Sequence, residues 1–104
     1  MIKNNNSNVQ EIFKLAVEKH IKKNLKDAQI LYTKILNIEP KHVNSLNNLG
    51  ELFRQKGEIQ KAKIFYEKAI EIDPNLASAY NNLGLIYLKN KNIFKAKSCY
   101  EKAI

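Results

Sequence analysis

The chain has 104 residues, 44% of them hydrophobic and 27% charged, and a formal net charge of +8. That balance suits one folded domain and excludes a disordered tail. With 3 glycines and 2 prolines there are too few breakers for a β-sandwich or barrel, and one cysteine, Cys99, excludes an intramolecular disulfide.

The positive charge raises nucleic acid, an anionic surface or an acidic protein as partners. The lysines are scattered and Arg54 is the only arginine. Readers of phosphate and base edges rely on arginine, so no specific nucleic-acid partner is expected. Non-specific attraction would fall on Lys61, Lys63, Lys95, Lys97 and Lys102.

In chain order, residues 1–8 are rich in Asn and are expected to be disordered, with no apolar run of the kind a secretion leader uses. No stretch approaches the roughly 18 apolar residues of a membrane span. A cytoplasmic location is the expectation that follows.

From about residue 9 the chain lands on itself when shifted by 34, giving copies at about 9–42, 43–76 and 77–104. The first copy carries Ile12, Leu15 and Ala16, then Ala28, Tyr32 and Glu39-Pro40. In the second, Leu46, Leu49, Gly50 and Phe53 form one helical stripe. Gly57 can end that helix in a left-handed turn. Ile59, Ala62, Tyr66, Ala69 and Ile70 form the next stripe. Asp73-Pro74 stops it, because a residue before proline avoids the helical region, and Pro74 can open the following segment. The third copy repeats the pattern at Tyr80, Leu83, Gly84, Tyr87, Ala96 and Tyr100, and Tyr66 to Ile70 recurs unchanged as Tyr100 to Ile104.

Each copy therefore reads as two antiparallel helices. Ala16, Gly50 and Gly84 are small where the two helices approach, and Ala28, Ala62 and Ala96 are small on the facing helix. Tyr32, Tyr66 and Tyr100 are expected to fill the gap toward the next copy. One hairpin cannot bury both of its sides, so the copies must stack.

The pattern Leu46-x2-Leu49-Gly50-x2-Phe53, Ala62-x3-Tyr66, Pro74 resembles the tetratricopeptide (TPR) repeat. The first copy is the loosest match, with Lys19 where an aromatic is usual. The resemblance implies an all-α, right-handed α-solenoid of about three TPR-like helix pairs. It implies a scaffold that binds a peptide or protein segment in a concave groove, without a cofactor. An alternative is the repeat segment of a larger enzyme, such as an O-linked N-acetylglucosamine transferase.

No catalytic constellation is visible. His20 and His42 are the only histidines and form no pair with metal-ligand spacing, so no catalytic or metal-binding residue is expected. Cys99 reads as a small packed thiol.

The resemblance implies that the first helix of each copy lines the groove. The expected contact residues are Phe13 and Val17; then Asn44, Asn47, Asn48, Glu51 and Arg54; then Ser78, Asn81, Asn82, Leu85 and Lys89. Asn48 and Asn82 hold the same slot. A carboxamide donates and accepts at once and can hold a peptide bond without reading side chains. This is similar to the asparagine ladder of those transferases, although Lys14 interrupts it in the first copy. The carboxylate clamp of chaperone-binding repeats is matched at Asn48 alone, because Phe13, Ser78 and Asn82 stand where it needs basic residues and Val17 where it needs an Asn.

The third copy stops six residues short, at Ile104. Ile93, Tyr100, Ala103 and Ile104 are then expected to form a bare apolar face. The readings that follow are self-association through that face or a chain that is a piece of a longer protein.

Overall fold

The computed structural model describes residues 5–104. Among them are six α-helices: α1 (Asn5–Ile21), α2 (Leu25–Ile38), α3 (Val43–Gln55), α4 (Ile59–Ile72), α5 (Ala77–Lys89) and α6 (Ile93–Ala103). The first helices of the three copies end at Ile21, Gln55 and Lys89, and the second ones start at Leu25, Ile59 and Ile93. The structural period is thus the sequence period. Of the expected disordered stretch, residues 1–4 lie outside the described residues. Residues 5–8 belong to α1, whose early turns are anchored by Val9, which is 2% exposed.

Helices α1 and α2, α3 and α4, and α5 and α6 form tight antiparallel hairpins. Neighbouring hairpins join through α2 with α3 and α4 with α5. Stacking along one axis makes an elongated body of 53 × 26 × 19 Å with a radius of gyration of 14.4 Å. A globular domain of this length would have about 13 Å.

The turns inside the hairpins repeat as well. Gly57 has φ +82°, and the corresponding Lys23 and Lys91 have φ 65° and 62°. Each closes the preceding helix in the same way. In the second copy the Gly57 N–H reaches the Arg54 carbonyl at 3.0 Å and the Glu58 N–H reaches the Phe53 carbonyl at 2.8 Å. This pair of bonds satisfies two carbonyls that the helix end would otherwise leave bare. Only one of the three positions uses glycine, so the other two hold a lysine against its steric preference.

Between copies, Glu39 and Asp73 take extended conformations ahead of their prolines. Pro40 and Pro74 sit in the turns, so α5 begins at Ala77, three residues later than an opening proline would give. Caps are uneven. Asn24, His42 and Asn92 each accept a backbone N–H at their helix starts, whereas Glu58 and Leu76 make no side-chain cap bond. A cap contributes about 1 kcal/mol. Helices α4 and α5 form without one, so packing of their apolar faces matters more than capping.

The core shows that packing. Ala28, Tyr32, Ala62 and Tyr66 are all completely buried. Tyr66 lies on Gly50 of its own hairpin, and Tyr100 lies on Gly84 in the same way. Tyr66 and Tyr100 therefore pack on the first helix of their own pairs, a contact beyond the expected filling of the gap toward the next copy, while Tyr32 meets Asn48 of the next copy. Phe53 stacks on Phe65 with centroids 5.3 Å apart. Leu15, in the slot of the buried Leu49, is 42% exposed.

Candidate peptide-binding face

Helices α1, α3 and α5 share one face of the stack, and two clefts open where it crosses from copy to copy. The first, about 420 Å³, lies between copies one and two and is lined by Val17, His20, Ile21, Lys23, Tyr32, Asn48 and Gln55. His20 is one of its lining residues. Its Nδ1 is 3.1 Å from the Tyr32 hydroxyl and its Nε2 is 2.9 Å from Gln55 Oε1. The two contacts tie the His20 ring to both side chains at once. This one imidazole links α1 and α2 of the first hairpin to α3 of the second. Burial holds the Tyr32 hydroxyl above its ordinary pKa, and the Asn48 amide beside it pulls partly back.

The second cleft, about 230 Å³, lies between copies two and three. Arg54, Ile59, Leu85, Ile86, Lys89 and Asn90 line it. Arg54 is fixed by Glu51: its Nε donates to Oε1 at 3.1 Å and its Nη2 donates to Oε2. The Tyr66 hydroxyl also donates to Glu51, at 3.3 Å. The Glu51 carboxylate raises the Arg54 pKa further, and burial with the nearby carboxylate raises that of Tyr66.

The expected contact residues divide. Val17 and Asn48 line the first cleft, and Arg54, Leu85 and Lys89 line the second. Asn44 and Asn81 are exposed and Asn82 is half-buried. Glu51 is spent on Arg54 and Tyr66. Asn47 is only 9% exposed and donates to Ser78 Oγ at 3.0 Å, tying α3 to α5. Its Oδ1 is buried without a partner, so Asn47 is a packing residue and not a groove donor. Phe13 packs against Tyr32 and against the His42 ring, 5.1 Å away, and so serves the joint between the first two hairpins.

The repeat of Leu46-Leu49-Gly50-Phe53 and Tyr66 on helix pairs of fixed period is matched by two family models. One, described as TPR repeat, covers residues 50–91; the other, described as Tetratricopeptide repeat, covers residues 31–64. The chain belongs to the tetratricopeptide repeat family. Among solved structures, the crystal structure of MamA superposes with a TM-score of 0.84 at 23% identity. The match covers 91% of this chain and 56% of that one. The Sgt2 TPR domain from Aspergillus fumigatus gives a TM-score of 0.83 at 27% identity, covering 92% of this chain and 64% of that one. The present chain thus spans less than two thirds of either structure. No curated protein matches it in sequence.

The TPR repeats and the TPR-domain neighbour support the general class of a protein-interaction scaffold. Among the described residues no helix is long and apolar enough to cross a membrane, and no three His, Cys, Asp or Glu side chains gather as a metal site would require. Cys99 is half-buried beside the core, and burial pushes its thiol up against the pull of Lys102 and Lys95. Reasoning from the TPR period missed the junction of His20, Tyr32 and Gln55. His20 and Gln55 are 35 residues apart and hold different slots of the repeat, so the period carried no signal of their contact. It also missed Phe94, which is 86% exposed beside Ile93 at 68%.

Proposed function

We propose that this scaffold holds a segment of a partner protein along the face shared by α1, α3 and α5, with the segment crossing both inter-copy clefts. The observation that carries this reading is the cleft around Asn48. Apolar Val17 and Ile21 stand there beside the Asn48 carboxamide, while His20, Tyr32 and Gln55 bond to one another in its wall, so a peptide would meet both apolar side chains and a backbone-binding amide. Asn48 and Asn82 are the only two of the expected ladder positions that keep a carboxamide at one register on this face.

Magnitudes set the division of labour. A neutral hydrogen bond nets about 0.5–1.5 kcal/mol, so two asparagines making two bonds each contribute about 2–6 kcal/mol before ordering costs. That alone corresponds to roughly millimolar binding or weaker. Apolar anchors must supply the rest, and Val17, Leu85 and Leu88 are exposed or half-exposed for it.

The test is a selection of random displayed peptides on the whole chain, followed by titration of the selected peptides against the double variant Asn48→Ala, Asn82→Ala. Binding is expected to weaken while the helical circular dichroism stays unchanged. Unweakened binding to a folded double variant would remove the assignment of this face.

A further inference from the structure

The two clefts have two slots of the repeat in common and differ there in charge. In the first, His20 and Gln55 satisfy each other across the joint at 2.9 Å. Shifted by one copy, those slots hold Arg54 and Lys89, and both line the second cleft. Two cations cannot satisfy each other. Glu51 compensates Arg54 through its Nε and Nη2, but among the described residues Lys89 has no carboxylate within ion-pair distance. No carboxylate lines the cleft, while Ile59, Leu85 and Ile86 give it aliphatic walls.

From this we infer that the second cleft recognises an aliphatic side chain adjoining a carboxylate, so that the partner segment is an acidic, aliphatic peptide. The inference rests on the proposed use of this face and names the chemistry of its ligand. The aliphatic group enters between Ile59, Leu85 and Ile86, and the carboxylate meets Lys89, with the Arg54 guanidinium lining the same cleft. Arg54 is held in place by Glu51 before the ligand arrives, which lowers the ordering cost of binding. A protein ligand fits better than a nucleic acid, because the cleft offers no aromatic ring on which a base could stack. The chain's formal charge of +8 adds long-range attraction for an acidic segment.

The test pans a random peptide library on the whole chain and titrates synthetic copies of the selected peptides. The selected sequences are expected to carry Asp or Glu next to Leu, Ile or Val. Lys89→Glu is expected to weaken them by about tenfold or more, and Lys89→Gln by less. Lys34→Glu, the same charge change on an exposed position of α2, is expected to stay within about twofold because salt screens distant charges. Equal loss with Lys34→Glu would mean diffuse attraction and overturn the inference, as would displacement of the peptide by an oligo-dT of matched charge. Selected peptides that lack acidic residues yet depend on Asn48 would overturn it while leaving the proposed function standing. A selection that yields no peptide sensitive to Asn48, Asn82 or Lys89 would overturn both.

Discussion

The Tyr66 ring rests directly on the backbone of Gly50: a methyl group at Gly50 would lie 2.6 Å from Tyr66 Cε1. Gly84 and Tyr100 stand in the same relation, with 2.7 Å to Cε1. Contacts this short force the helices apart or the ring out of its rotamer. Gly50→Ala is expected to destabilise the chain by about 1–3 kcal/mol, the usual cost of overpacking. Urea or thermal unfolding followed by circular dichroism measures it. An unchanged midpoint would show that the ring moves aside freely.

The three hairpin turns make a paired prediction. Lys23 and Lys91 hold positive φ values that Gly57 holds at no steric cost. A left-handed conformation costs a residue with a Cβ about 1–2 kcal/mol, against about 0.5–1 kcal/mol of extra chain entropy lost by glycine. Lys23→Gly and Lys91→Gly are each expected to be neutral to stabilising by about 1 kcal/mol. Gly57→Ala is expected to destabilise by about 1 kcal/mol, although no atom lies within 4 Å of its added methyl. Thermal melts of the three variants check the opposite signs.

Stability is expected to fall in alkali. Burial raises the hydroxyl pKa of Tyr32, Tyr66 and Tyr87 above the ordinary value of 10.0. The folded state therefore keeps protons that the unfolded chain releases. Stability from these groups is complete below pH 10 and declines as pH rises above it. Melting midpoints measured between pH 8 and pH 11.5 should drop at the upper end. Absorbance at 295 nm should show part of the tyrosine titrating only on unfolding.

Asn47→Ala is expected to change stability by less than about 1 kcal/mol, although Asn47 is nearly buried and hydrogen-bonded. The lost bond to Ser78 is worth about 1 kcal/mol, and removing a buried unpaired carbonyl returns a similar amount. His20→Ala has no such compensation. It strips a partner from both Tyr32 and Gln55 and is expected to cost about 1–3 kcal/mol. Chemical denaturation of the two variants side by side separates these outcomes.

The sequence by itself determined the helices, their pairing and their stacking. Small residues recur at Gly50 and Gly84, aromatics at Tyr66 and Tyr100, and prolines at Pro40 and Pro74, all at one period. Each of these constraints is local or acts within one hairpin, so spacing alone carries it. The resemblance to the TPR repeat pointed to the first helix of each copy as the face to consider. Tertiary structure decided which side chains on that face remain free. Asn47 meets Ser78, His20 meets Gln55, and Phe13 meets His42, each across a joint between hairpins. Such pairs depend on how one hairpin is rotated against the next and on the rotamers chosen there. A repeat period fixes which residues are equivalent, but not which of them touch.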